Sequence, residues 1–249
     1  MSQLIVSAHG VTKAFAAGAH TVWALRGVDL EVQEGDFLAL VGPSGSGKTT
    51  LLNLLGALDA PTGGDLAVLG RQIASLSTHG RAEMRLRSIG FVFQAYNLVP
   101  VLTALENVEF VLELQGMGAG RRARALEVLN ELGLGELADR RTNELSGGQQ
   151  QRVAVARAVA ARPKLVLADE PTANLDGENA EILMHLMRDL RERHHMTFIF
   201  STHDPRVVRH AVRVVTLVDG KVASDELKPG EPPHVIVPED RSAPTWMAR

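Results

Sequence analysis

FLALVGPSGSGKTTLLNLLGAL, Phe37 to Leu58, is a strand, a loop and a helix written in one line. The opening FLALV is a short continuous apolar run, the pattern of a strand buried on both faces. Leu51, Leu52, Leu54, Leu55 and Leu58 follow at helical spacing and predict a helix with one apolar face. Between them, Gly42 to Thr49 satisfies G-x-x-x-x-G-K-[ST] at every fixed position. Gly42, Pro43, Ser44, Gly45, Ser46 and Gly47 form a turn whose backbone N–H groups can curl around phosphates. The helix start adds its partial positive charge. Lys48 is placed to reach the β- and γ-phosphates, the Thr49 hydroxyl to bind Mg²⁺, and Thr50 completes the nucleotide-binding stretch.

KLVLADEP, residues 164–171, is a second buried-strand run, and it ends in two acids. Strand C-termini are where α/β sheets gather their ligands. Asp169 is expected to hold Mg²⁺ and Glu170 to orient and deprotonate an attacking water. A third stretch, LSGGQQQR at 145–152, has a capping-box spacing at Ser146 and Gln149 before a helical run. That spacing leaves Gly147 and Gly148 unexplained, since glycine weakens a helix by up to about 1 kcal/mol relative to alanine. Bare backbone there suggests a second anion-binding helix end.

The rest of the chain supports an α/β reading. The first forty residues are strand-like, with Val28, Leu30 and Val32 alternating against charged neighbours. Residues 97–160 are helical in pattern, in LTALENVEFVLELQG and RRARALEVLNELGLGELADR. ENAEILMHLMRDLRER sets Ile182, Leu183, Leu186, Met187 and Leu190 on one face, MTFIFSTHD is a strand, and VRVVTLVDGKV a hairpin at Asp219-Gly220. From residue 223 the composition shifts, with five prolines in 229–244, so a C-terminal tail over 223–249 is expected.

With 249 residues and a net charge of −3, the chain has no global basic field to attract nucleic acid. No cysteine is present, which excludes disulfides and cysteine-based zinc sites. The opening MSQLIVSAHG lacks the basic and apolar regions of a secretory signal, and no apolar run approaches the length of a membrane span. The remaining histidines, His9, His194 and His195 among them, show no complete metal-ligand spacing.

GPSGSGKT, LSGGQQQR, LVLADEP and STHD, in this order and spacing, resemble the ATP-binding subunit of an ATP-binding-cassette (ABC) transporter over about residues 3–222. The resemblance implies a P-loop NTPase fold with a mainly parallel core sheet, an N-terminal antiparallel β-subdomain and an inserted helical subdomain near 97–160. The ATPase domain would then span 1–222. It also implies further site residues. Phe15 falls where the family stacks an aromatic ring on adenine, Gln94 where a glutamine contacts Mg²⁺ and water, and Asn174 and Asp176 in the loop after the acidic pair. His203 matches the histidine that touches the γ-phosphate. In such proteins two subunits pack head to tail, so Ser146, Gly147, Gly148 and Gln149 would meet ATP held by the other copy.

FVFQAYNLVPVLTALENVEFVLELQG and TANLD are most similar to the macrolide-exporter, lipoprotein-releasing and cell-division subgroup. That implies a membrane permease docked on the region after Gln94, with the subunit peripheral on the cytoplasmic face of the inner membrane. Tyr96, Leu98, Val99, Val101 and Leu102 would line the dock or simply fill core. A non-transport regulator of the cell-division type is the alternative. A soluble ABC ATPase is disfavoured, because about 100 residues without sustained heptads separate the phosphate loop from LSGGQ.

Overall fold

Burial on both faces of a few short strands organises the chain. The computed structural model describes residues 3–18 and 20–228. Strands β1 (Leu4–Ala17) and β2 (His20–Gln33) form a long antiparallel pair, which β4 (Gly63–Val68) and the two-residue β5 (Arg71–Gln72) extend in the order β2-β1-β4-β5. The second sheet has six strands. Its parallel part comprises β3 (Phe37–Val41), β6 (Ile89–Val92), β7 (Leu165–Asp169), β8 (Thr197–Ser201) and β9 (Arg213–Val218). β10 (Lys221–Leu227) pairs antiparallel with β9, giving the order β10-β9-β3-β8-β7-β6.

Alternate residues of the central strands enter different cores, as a period of two requires. Phe37, Ala39, Val166, Ala168, Phe198 and Phe200 face one core. That core holds α3 (Ala104–Leu114), α4 (Arg121–Glu131), α5 (Gly147–Val159) and the apolar side of α6 (Gly177–His194). Leu38, Leu40, Leu165, Leu167 and Ile199 face the other, with α1 (Lys48–Leu55) and the inner residues of β1, β2 and β4. The parallel sheet is thus the middle layer of three. Arg213 also fastens the two sheets: its guanidinium donates to the Glu31 carbonyl at 2.8 Å and pairs with Asp36 and Asp225.

The strand–loop–helix reading of 37–58 holds, with one correction. α1 stops at Leu55, Ala57 takes a positive φ of 53°, and Leu58 is 43% exposed rather than on the helical face. RRARALEVLNELGLGELADR likewise yields a helix only to Glu131, followed by a turn and a 3₁₀ segment at Gly135–Leu137. Sequence patterning assigned no element to 59–88, where β4, β5 and α2 (Thr78–Ser88) lie, and β6 follows directly. These elements are short or polar, so periodicity is weak in them. At the C-terminal end the hairpin at Asp219-Gly220 is present, and β10 carries regular structure to Leu227, past the boundary drawn at 222. The proline-rich segment from 229 onward lies outside the described residues.

Phe37 touches both Phe198 and Phe200, with ring centroids 5.7 and 5.0 Å apart. Phe37→Ala should cost about 3–5 kcal/mol of unfolding free energy. Urea denaturation followed by circular dichroism measures it, and a loss under about 1 kcal/mol would mean that this face is not close-packed as described.

Candidate functional site

At the C-terminal edge of the parallel sheet, the polar ends of β3, β7 and β8 come together. The loop Gly42–Gly47 leaves β3 and enters α1 with Gly47 as N-cap. Its glycines are required by both φ and space. Gly42 has φ +143° and a Cβ there would overlap the Leu217 carbonyl oxygen. Gly47 has φ +105° and a Cβ would lie 2.7 Å from the Ala24 carbonyl oxygen. The loop is therefore clamped between β9 and β2 with its backbone bare. Ser46 is buried and its hydroxyl has no hydrogen-bond partner among the described residues. Lys48 folds back onto the loop, donating to the carbonyls of Gly42 at 2.8 Å and Pro43 at 3.1 Å.

Parallel register sets Asp169 opposite Ser201. The Ser201 hydroxyl donates to Asp169 Oδ1 at 2.6 Å and accepts the Glu170 backbone N–H at 3.0 Å. Thr49 Oγ1 donates to the same Oδ1 at 3.2 Å, so the helix α1 hydroxyl and the β7 carboxylate converge on one point. Glu170 sits at φ +46°, a conformation that L-residues adopt at a cost and that recurs at functional positions. Its Oε1 lies 2.9 Å from His203 Nδ1. The Glu170 side chain is 16% exposed and that of His203 72%, so the pair opens outward from a covered carboxylate.

Gln94 and Asn174 lie on loops that leave this edge, Asp176 at the start of α6, and Phe15 on β1 of the other sheet. Asn174 donates to the Gln94 carbonyl at 2.9 Å, tying the loop after β7 to the loop after β6. Asp176 caps α6 by accepting the Asn179 N–H at 2.8 Å, and that bond holds its carboxyl below the usual range. Phe15 pairs with Val22 on β2, two residues from the Ala24 that abuts Gly47, and its ring is 44% exposed beneath the Lys13 ammonium.

LSGGQQQR makes no hydrogen bond to the phosphate loop among the described residues. Ser146 and Gln149 complete the capping box, with bonds of 2.9 and 3.3 Å. Gln151 is buried and reaches the Pro171 carbonyl at 2.7 Å. The glycines have an explanation the sequence reading did not contain. A Cβ on Gly148 would lie 2.5 Å from Asn179 Oδ1, and one on Gly147 would lie 3.0 Å from the Tyr96 hydroxyl. Within the chain, a larger residue at Gly148 would have to push the Asn179 side chain aside. Even so, no hydrogen bond among the described residues takes the N–H of Gly147 or Gly148.

Three residues of the constellation were missed from sequence. Ser201 stands first in the STHD stretch, and pairing of the two strand ends was the signal that could have found it. Arg157, a lone cation in VAVARAVAA, donates to the carbonyls of Asn97 at 2.5 Å and Tyr96 at 3.0 Å, both residues having positive φ. Burial pulls the Arg157 guanidinium below its ordinary value. Asn107 is fully buried and accepts the Val99 N–H at 2.8 Å while its amide donates to Val99, Leu102 and Thr103 carbonyls, fixing the loop 97–103 from inside.

Residues 25–173 match the family described as ABC transporter. Over 222 residues the chain is 50% identical to the lipoprotein-releasing system ATP-binding protein LolD of Anaeromyxobacter dehalogenans, covering 88% of this chain and 93% of that protein. It is 43% identical over 234 residues to the macrolide export ATP-binding/permease protein MacB of Bordetella avium, of which it spans 36% while 94% of this chain is covered. The fold superposes with a TM-score of 0.84 on a dimeric, post-hydrolysis structure of the ATP-binding cassette MJ0796 bound to ADP and Pi. That cassette, from Methanocaldococcus jannaschii, shares 43% identity in the superposition, which covers 91% of this chain and 100% of the other.

Two substitutions test the geometry. Ser201→Ala strands the Glu170 N–H and should cost about 1–3 kcal/mol, with nucleotide hydrolysis falling at least about tenfold. Gly148→Ala should lower the melting temperature of the nucleotide-free chain by several degrees, since overpacking costs about 1–3 kcal/mol and each kcal/mol is worth about 2–4 °C at this size. An unchanged melting temperature would show that Asn179 yields freely.

Proposed function

The chain belongs to the ABC transporter family, and from that premise we propose that it is the ATP-hydrolysing subunit of a lipoprotein-releasing or macrolide-exporting type of complex. The observation that carries this reading is the Glu170–His203 pair at 2.9 Å, set beside a phosphate loop and Asp169 on one sheet edge. Water is the acceptor that such a pair can activate. Glu170 takes the proton of the attacking water, the water oxygen bonds to the γ-phosphorus, and the bond to the β–γ bridging oxygen breaks, giving ADP and phosphate. His203 holds the carboxylate in place and reaches outward to the γ-phosphate. Lys48 exchanges its carbonyl partners on Gly42 and Pro43 for phosphate oxygens.

The donors for Mg²⁺ fit that ion. Thr49 Oγ1 and Asp169 Oδ1 are hard oxygens already 3.2 Å apart, and Gln94 lies on the adjoining loop. Bound there, Mg²⁺ would neutralise charge on the β- and γ-phosphates.

A second copy completes the site. The N–H groups of Gly147 and Gly148, unbonded among the described residues and at the start of a 13-residue helix, make an anion-binding end. In the head-to-tail arrangement they close over the γ-phosphate bound by the partner copy. No helix among the described residues is long and apolar enough to cross a membrane. Like its relatives in membrane transporter systems, the subunit in our proposal attaches through a permease, on the cytoplasmic face of the inner membrane. The docking surface we propose is the α3 face that exposes Phe110 and Leu114 beside Glu106 and Glu113, with the exposed Val101 in the loop before it.

Glu170→Gln should slow hydrolysis by about 10²–10⁴ while leaving ATP binding intact. With ATP it should elute from size exclusion as a dimer, and Ser146→Arg in the same background should not. A Glu170→Gln chain that stays monomeric at saturating ATP and high concentration would sink the proposal.

A further inference from the structure

The histidines that sequence spacing left unassigned do not all lie on bland surface. Glu181 and His185 are four residues apart on α6 and so share a face. His210 arrives from α7 (Pro205–Val208) and the turn leading to β9, and is 8% exposed. One ligand atom from each of the three lies within 4.8 Å of the others. We propose that Glu181, His185 and His210 bind a divalent transition-metal ion of the zinc class, outside the nucleotide site.

Two imidazoles and a carboxylate are a donor set that zinc takes, with a fourth position left to water. His210 Nε2 already lies 2.9 Å from Glu181 Oε2. The His185 ring stands edge-on to that of His210, with centroids 5.1 Å apart. Metal–ligand bonds of about 2.0–2.2 Å require donor atoms about 3.3–3.5 Å apart in a tetrahedron. The Glu181–His210 pair must therefore open slightly from 2.9 Å, while His185, the exposed member of the three, closes in. An outer partner is also present. Arg209 holds Glu181 Oε1 at 2.5 Å, which turns Oε2 toward the histidines.

Burial pushes the His210 imidazole below its usual range, against the upward pull of Glu181. The Glu181 carboxyl is also lowered: burial raises it, and the bonds from Arg209 and His210 outweigh that. A neutral imidazole and an ionised carboxylate are the ligating forms. A simple Glu–His hydrogen bond would use only two of these residues and leave His185 without a part.

The site has a position that matters. Glu181 follows the Asp176 cap by five residues on one helix, and His210 follows His203 by seven. An ion there would fasten the segment after the acidic pair to the segment after the γ-phosphate histidine.

The test uses the full chain without an affinity tag, stripped by chelator and free of nucleotide, with Co²⁺ as the spectroscopic probe. One Co²⁺ per chain is expected, with the intense visible bands of a four-coordinate site, displaced by Zn²⁺ and not by excess Mg²⁺. His185 is exposed, so His185→Gln should melt with the wild type in chelator. It should lose the bands and bind Zn²⁺ at least about tenfold more weakly, the lower end of what even outer-shell changes cause. The proposal fails if the wild type shows neither bands nor Zn²⁺ stabilisation. It also fails if His185→Gln titrates like the wild type, which would put the ion at the nucleotide site or another histidine.

Discussion

Strands buried on both faces have nowhere to place a polar side chain except at their ends. In β3, β7 and β8 every interior residue goes to one core or the other, so the polar side chains sit at the strand ends, Thr197 at one and Asp169 and Ser201 at the other. Parallel register then brings those ends level, and Ser201 falls beside Asp169 as a consequence. From that single hydroxyl the rest of the site is positioned. It fixes a carboxylate oxygen on one side and the backbone of Glu170 on the other, and Glu170 in turn finds His203. The phosphate loop is attached to the same edge by the same logic, through β3.

Around this rigid edge the moving parts are joined by few bonds. Arg157 reaches from the helix of LSGGQ to two loop carbonyls after β6, and Asn174 reaches the loop from the other side. Tyr96 and Asn97 are both in the left-handed region, so that loop is held rather than relaxed. Arg157 is half-buried and donates to both carbonyls at once, so displacement of the loop and of the signature helix should occur together. On the function proposed above, these bonds would link the surface where a permease presses to the helix that meets the second copy.

How much of this was legible varied with the kind of signal. The phosphate loop, the acidic pair and the Ser146–Gln149 cap depend on local order along the chain, and they were readable at once. Leu58 was misplaced because spacing alone does not reveal that Gly56 and Ala57 end a helix. β4, α2 and β10 are polar on one side or very short, and their burial comes from partners distant in sequence. Gly148 illustrates the same limit: its reason is Asn179, on another helix. The Glu181–His185–His210 cluster was overlooked because its third member comes from beyond β8, and spacing along the chain does not carry that information.

Asn107 offers a different kind of consequence. By bonding to Val99, Leu102 and Thr103 from beneath, it fixes the shape of the 97–103 loop without using any outward-facing side chain. Conformation and lettering of that surface are thereby separated. Val101 can be exchanged for almost any residue while the frame that presents it stays put. On the docking proposed above, the choice of partner could then be altered at that surface without disturbing the backbone beneath it or the catalytic edge.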